Sequence, residues 1–406
     1  VSPNVAAPAE PDGASELRRA VRRFLAEHPE PSDAEMAAAG WVAPQWPAPW
    51  GHGASPEASV AVEEELLDAG VRLPDNPIGI GWAGPTILAA GTAAQRQRYL
   101  TRILSGEDRW CQLFSEPDAG SDLASLRTTA VRDGEEWVVE GQKIWTTAAE
   151  TADFGILLAR TDPDAPAHRG LSYFLCPMDL PGIEARPIRE MSGGAHFCEV
   201  FLSGVRLPAD ALLGAEGDGW RLATLTLGNE RVSLSHGGLL WGMGPTGAEV
   251  LDALARLAHA GGLGDPLVRQ RFARLHAESF LLERLGEQVR AAAARDGRPG
   301  PGASLEKLLS DQHGQRLFEL LSDVAGPAGA VGSPGGGTAE ERGSAWPAPV
   351  ASVAPEPLGA GLGAHHQGPW PWGALFSRAL TIGGGTTEVQ RNILAERVLG
   401  LPREPR

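Results

Sequence analysis

The hydrophobic period of this chain changes twice, and that double change limits its fold more than any other feature. Residues 15–27 place Leu17, Val21, Phe24 and Leu25 on one helical stripe. A second helix is expected from about Ser59 to Asp68, with Gly70 as its stop, and a third over Ala93–Leu104, before Ser105-Gly106. Beyond Asp108 short β-like runs take over. Thr128–Arg132 and Glu135–Glu140 flank Asp133-Gly134, a hairpin signal because both turn residues tolerate positive φ. Ile144–Thr147, Gly155–Arg160, Leu171–Cys176 and Glu199–Leu202 continue the pattern. From Gly219 the helical period returns in Trp220–Leu240, Leu267–Ala293 and Leu305–Val324. Residues 383–399 are the last expected helix, with Thr387 and Gln390 read as a capping box and Gly400 and Pro402 as its end. The expectation is an α+β chain: an N-terminal helical domain over 1–108, a small β-barrel-like domain over 109–213, and a C-terminal four-helix bundle over 214–406.

With 406 residues, 42% hydrophobic and 21% charged, the chain can fill two or three packed layers or domains. Its net charge of -16 argues against a general nucleic-acid binder, because little offsets phosphate repulsion. A locally basic or amide-lined pocket for an anionic cofactor remains compatible with that charge. Cys111, Cys176 and Cys198 are odd in number and fit no metal spacing, so they read as small buried hydrophobes in a reducing compartment. No run of ~18 apolar residues and no signal-peptide pattern is present, so a cytoplasmic protein without membrane insertion is expected.

Residues 326–373 break the order, being crowded with Gly, Pro and Ala around Trp346, His365, His366, Trp370 and Trp372. The segment reads as a mobile surface insertion, or as a lid or partner contact anchored by its tryptophans. His365-His366 has no third ligand nearby in sequence, so no metal is expected.

Two stretches carry chemistry. Phe114-Ser115-Glu116-Pro117-Asp118-Ala119-Gly120-Ser121-Asp122 combines a bend, small residues and hydroxyls, which suits close approach of backbone amides to a phosphorylated ligand. Ile382-Gly383-Gly384-Gly385-Thr386-Thr387-Glu388 puts three glycines directly before a helix start, a second anion-friendly arrangement. With Gln142-Lys143-Ile144-Trp145-Thr146-Thr147 between them, and from Pro74-Asp75-Asn76-Pro77 to Glu396-Arg397-Val398-Leu399-Gly400, the chain resembles the acyl-CoA dehydrogenase family of flavoproteins over nearly its whole length.

The resemblance implies FAD between the β domain and the bundle, usually completed by a neighbouring subunit. Phe114 and Ser115 would line the flavin, and Gly120 and Ser121 would approach the pyrophosphate or the substrate's pantetheine arm. Trp145 and Thr147 would cover the flavin face away from the substrate, and Gly385, Thr386 and Glu388 would meet the adenosine end. It also implies α,β-dehydrogenation of an acyl thioester: a base takes the α-proton while the β-hydrogen leaves as hydride to flavin N5. The thioester oxygen would be held by the ribityl 2′-hydroxyl and the backbone N–H of Gly384, a main-chain donor that needs no side chain.

Many family members carry a catalytic glutamate where this chain has Gly384. Others place the base on a bundle helix directly before an arginine, and Glu230 occupies that slot in Leu227-Gly228-Asn229-Glu230-Arg231-Val232-Ser233. Burial would raise its pKa as a general base requires. Arg231 would orient groups near the thioester. Glu388 is a poorer base candidate, four positions beyond Gly384.

The neighbour-completing Arg-x-x-Phe-Gly turn has Ala260 and Leu263 in its Arg and Phe slots, with Arg269 or Arg271 as possible substitutes. Family resemblance further implies an electron-transferring flavoprotein as acceptor, a role in fatty-acid metabolism, and a homodimer or homotetramer, with a heteromer also open. Two alternatives stand beside the acyl-CoA reading: a same-fold flavoenzyme using a carrier-bound acyl group or doing oxygenase or oxidase chemistry, and a non-catalytic partner subunit of a heteromeric dehydrogenase.

Overall fold

The computed structural model describes residues 12–236, 265–296, 300–325 and 369–403, with a few positions between 247 and 255. Its N-terminal part holds five α-helices: α1 (Asp12–Glu27), α2 (Asp33–Ala38), α3 (Pro56–Asp68), α4 (Gly84–Ala90) and α5 (Ala93–Leu104). Their starts follow capping chemistry. Ser32 and Glu35 form a capping box on α2, and Thr92 and Gln95 do so on α5. α3 begins three residues earlier than its apolar pattern suggests, because Ser55 caps it by accepting from the Ala58 N–H and Pro56 opens it. Gly70, at φ +70°, follows its end. Neither α2 nor α4 was expected from periodicity.

The middle strands are β1 (Trp110–Leu113), β2 (Thr129–Asp133), β3 (Glu136–Thr147), β4 (Phe154–Arg160), β5 (Leu171–Pro177), β6 (Ile183–Ile188), β7 (Phe197–Pro208) and β8 (Leu212–Leu213). They form one eight-stranded sheet in the order β6-β7-β3-β2-β4-β5-β8, with β1 added parallel to β4. The hairpin turn lies one residue later than expected: Asp133 pairs with Glu136, leaving Gly134 (φ +64°) and Glu135 at the turn. Two expected runs, Glu135–Glu140 and Ile144–Thr147, fuse into the single strand β3, which bends at two irregularities in its pairing with β7.

β4 and β5 explain why three layers cohere. Ile156, Leu158, Tyr173 and Leu175 face a core shared with Val21, Leu66, Ile87 and Leu100 of the N-terminal helices, whereas Leu157, Ala159, Phe174 and Cys176 face a second core with Val200 and Leu202. Strands buried on both faces read as continuous apolar runs, as Phe154-Gly155-Ile156-Leu157-Leu158-Ala159 does. All three cysteines are free, buried and in that second core, where burial pushes each thiol up from its ordinary pKa.

The C-terminal part contributes α6 (Gly219–His236), α7 (Pro266–Asp296), α8 (Gly302–Ala325), α9 (Pro369–Phe376) and α10 (Thr387–Ile393). α7 packs on α8, and Leu275, Leu317, Phe318, Leu321, Trp372 and Phe376 form their core. Trp372 is buried inside α9, so the far edge of the expected 326–373 insertion belongs to the bundle core rather than to the surface. Residues 326–368, including Trp346, His365 and His366, lie outside the described residues, as do Ala260–Gly264. Among the described residues no helix is long and apolar enough to cross a membrane, and no cluster of metal-ligating side chains occurs.

Candidate active site

The 114–122 loop is built from within. Glu116 and Ala119 exchange two backbone hydrogen bonds of 3.0 Å, closing a tight turn. The Glu116 carboxylate accepts from the backbone N–H groups of Arg127 (2.6 Å) and Thr128 (2.8 Å) and from Lys143 Nζ (2.9 Å), while Lys143 also donates to the Phe114 carbonyl at 3.1 Å. Both side chains are buried. Burial opposes the charge on each. It depresses Lys143 to about 8, whereas the Lys143 charge and the donated hydrogen bonds outweigh it at Glu116 and hold that carboxyl below its usual range. A second link, the Ile144 N–H to the Ser115 carbonyl at 2.9 Å, joins the loop to β3 beside Trp145.

Trp145 sits where β3 loses register with β7 between Lys143 and Thr146, and its backbone is left-handed at φ +60°. A bulge of this kind turns a side chain out of the pleat. The indole is 57% exposed, with its edge against Phe197 at 6.1 Å. Thr147 pairs with Phe197 and is half-buried. The Phe114 ring is buried, in a T-shaped contact with Tyr173 at 5.8 Å. Ser115 is left half-buried, and Gly120 and Ser121 are exposed at the loop's far end.

Glu230 lies on α6 and is buried, with Gln112 Nε2 of β1 donating to its carboxylate at 3.0 Å. Burial raises its pKa above the ordinary carboxylate value, while the Gln112 hydrogen bond and the charges of Arg231 and Lys307 pull it back. Arg231 is half-buried beside it, and burial lowers its pKa. Two amide atoms near this carboxylate in sequence or contact, Gln112 Oε1 and Asn229 Nδ2, are buried without a hydrogen-bond partner among the described residues.

The glycine turn is tied down from α8. Lys307 Nζ, buried, donates to Asp311 at 2.5 Å and to the Leu380 carbonyl at 3.1 Å, and Gln315 reaches Ser377 and Thr381. Gly384 and Gly385 take φ of +65° and +92°, which favours glycine, and their carbonyls accept from Gln390 Nε2 at 3.0 and 3.2 Å. The expected Thr387–Gln390 capping box is corrected by one position: Thr386 is the N-cap, accepting from the Val389 N–H, and Gln390 folds back on the glycines instead. Glu388 is exposed.

Ser115, Trp145 and Thr147 are therefore neighbours through β3, and Glu230 reaches the same loop through Gln112, two residues before Phe114. Phe197, the partner of Thr147, stacks on Phe376 of α9 at 6.4 Å, seven residues before Gly383. Periodicity and motifs missed Gln112, Lys143, Lys307 and Phe197.

Acyl-CoA dehydrogenase family models for the N-terminal, middle and C-terminal domains match residues 11–107, 111–205 and 217–399. Acyl-CoA dehydrogenase FadE34 of Mycobacterium tuberculosis is 41% identical over 388 residues, covering 96% of this chain but 48% of FadE34, so the chain spans about half that relative's length. Acyl-CoA dehydrogenase IpdE1 of the same organism is 39% identical over 371 residues, 91% of this chain and 87% of IpdE1. Among solved structures, the Tcur3481-Tcur3483 steroid ACAD superposes with a TM-score of 0.74 at 29% identity, over 98% of this chain and 99% of that one. The Mycobacterium tuberculosis ChsE4-ChsE5 complex gives 0.72 at 29% identity, over 98% and 100%. Matched in order by all three domain models, the chain belongs to the acyl-CoA dehydrogenase family of FAD-dependent oxidoreductases.

Proposed function

We propose that this chain catalyses FAD-dependent α,β-dehydrogenation of an acyl-CoA thioester to the trans-2-enoyl thioester, with Glu230 as the base. The observation that carries the reading is a buried glutamate, raised in pKa, held by Gln112 two residues from the 114–122 loop. Buried polar atoms without partners among the described residues occur at Gln112, Thr146 beside Trp145, Asn229 and Gln390, and an exposed indole stands among them in sequence. That set suits a large, flat, hydrogen-bonding group, and FAD fits it. Ser115, Trp145 and Thr147 would hold its ring system, Gly120 and Ser121 its pyrophosphate or the pantetheine arm, and Gly385, Thr386 and Glu388 its adenosine end.

When bound, the flavin supplies the hydride acceptor. Glu230 takes the α-proton, and its low-dielectric site keeps it basic enough for the task. Arg231 orients the thioester, and the Gly384 N–H stabilises charge growing on its oxygen. The carbonyl hydrogen bonds from Gln390 and the Lys307 clamp fix the turn that carries this amide. A steroid relative at 29% identity supports an acyl group carried on a bulky polycyclic skeleton. A cytoplasmic location and an electron-transferring flavoprotein as final acceptor belong to the same proposal.

A second reading, a partner subunit working beside another dehydrogenase chain, is favoured by the likeness to the ChsE4-ChsE5 complex. Anaerobic titration of the purified protein with straight-chain and steroid-side-chain acyl-CoAs separates the two. Bleaching of the flavin band, slowed by roughly 10²-fold or more in Glu230→Gln, is expected. Near-normal reduction in Glu230→Gln sinks the base assignment, and a protein that retains no flavin supports the partner-subunit reading.

A further inference from the structure

Gln112 donates to Glu230, and among the described residues its amide is used at one end alone. Nε2 sits 3.0 Å from Glu230 Oε2, while Oε1 is buried with no partner among the described residues. An amide has donors on one end and an acceptor on the other. It therefore matches a carboxylate in one orientation and a protonated carboxyl in the other. Turning over leaves the number of unpaired ends unchanged, so the two orientations cost similar amounts of unmet hydrogen bonding.

The two cations beside Glu230 do not offer such a change of role. Arg231 on the same helix and Lys307 of α8 are cations that only donate, with Lys307 already held by Asp311 and the Leu380 carbonyl. Arg397 stands near Arg231. Tyr173 of β5 and Thr86 of α4 spend their hydroxyls on Thr226, four residues before Glu230. Gln112 lies on β1, a strand fixed along its length by β4, so its side chain can rotate while its backbone stays in place.

We propose that Gln112 is a positioning residue that follows the proton, donating through Nε2 to the Glu230 carboxylate and turning over to accept through Oε1 once the carboxyl is protonated. In the reaction the substrate Cα–H bond breaks and an O–H bond forms on Glu230. The carbon's electron pair becomes the new Cα=Cβ bond as the β-hydride leaves. The new O–H then has an acceptor at hand, which keeps the proton from returning to Cα. This inference rests on Glu230 being the base.

The test uses the flavoenzyme and the variants Gln112→Met, which keeps volume and loses both hydrogen-bonding ends, and Gln112→Glu, which adds a second carboxyl. The infrared band of the Glu230 carboxyl, assigned by its loss in Glu230→Gln, is titrated in each. Its midpoint is expected to rise by about one pH unit in Gln112→Met and further in Gln112→Glu. The acid limb of kcat/KM should move with it, while KM stays near wild type. The protonated-carboxyl stretch should lie lower in wild type than in Gln112→Met, because the amide oxygen is a far stronger acceptor for the O–H than a thioether. An unmoved midpoint overturns the positioning role, and an identical protonated band in the two overturns the turning-over. Full activity in Glu230→Gln removes the base reading, and with it the catalytic use of Gln112, whereas inactivity there with a wild-type Gln112→Met profile sinks this inference alone.

Discussion

Trp145 holds a left-handed backbone that a bulky L-residue rarely adopts, and it spends that conformation on presenting an indole to the surface. Among the described residues the ring's one aromatic contact is T-shaped, with Phe197. Strain of this kind, of order 1–3 kcal/mol, persists where surrounding structure over-determines it and a ligand uses it. Trp145→Asn should therefore act in opposite directions on two properties. Asparagine tolerates the left-handed region, so the flavin-free protein should melt at the same temperature or higher. Affinity for FAD, followed by fluorescence titration, should fall about tenfold through loss of the stacking surface. Unchanged FAD affinity would remove Trp145 from the cofactor site, and a large drop in the melting temperature would show that the indole serves the fold instead.

At the scale of elements, α1 is fastened to α3 by charge as well as by its apolar stripe. Arg18 and Arg22 both donate to the buried Glu65, Arg22 through two bonds of 2.5 and 2.6 Å. The Arg22 hydrogen bonds, aided by Arg18, outweigh burial and hold Glu65 at about 2 against an ordinary 4.5. A carboxyl depressed on folding stabilises the native state at pH values above its unfolded pKa, and that contribution disappears as pH falls through the folded one. Thermal melts of wild type and Glu65→Gln should accordingly differ most near pH 6, by roughly 1 kcal/mol once exposure of Arg22 is discounted, and converge between about pH 4.5 and 2. A difference independent of pH would assign the loss to packing.

The same helices show what the sequence made legible. α5 was readable to the residue because its apolar stripe runs its length and Ser105-Gly106 follows directly on its end. α2 and β1, with six and four residues, are too short for a period to register. The hairpin slipped by one because Asp133 is claimed by its cross-strand partner Glu136. In the proposed site, Trp145, Glu230 and the glycine turn are residues that the resemblance to a family singles out. Gln112 was not, since it meets Glu230 across 118 positions of sequence and nothing local in the letters marks that pairing. Lys143 hid for a related reason: its partner lies 27 positions away, and only the fold shows that both are buried.

At the scale of the whole molecule, three layers meet at one chain of hydroxyls inside an apolar core. Thr86 of α4 lies 2.9 Å from Thr226 of α6, and Thr226 lies 3.0 Å from the Tyr173 hydroxyl of β5. Thr226 also returns a bond to the Leu222 carbonyl, so it stays in a helix while serving both neighbours. Burial pushes the Tyr173 phenol well up from its ordinary pKa. One turn further along α6 comes Glu230, which makes this junction the place where N-terminal helices, sheet and bundle agree on the height of the proposed base. Thr226→Val keeps the shape and strands the Tyr173 hydroxyl from its nearest partner, at a cost of about 1–3 kcal/mol. Tyr173→Phe removes the hydroxyl that would be stranded and should cost about 1 kcal/mol. If the junction couples the layers, the double variant in urea unfolding will lose clearly less than the two singles together, because the second change relieves the damage of the first. Losses that add to within about 0.5 kcal/mol would mean that the layers are held by their apolar faces alone.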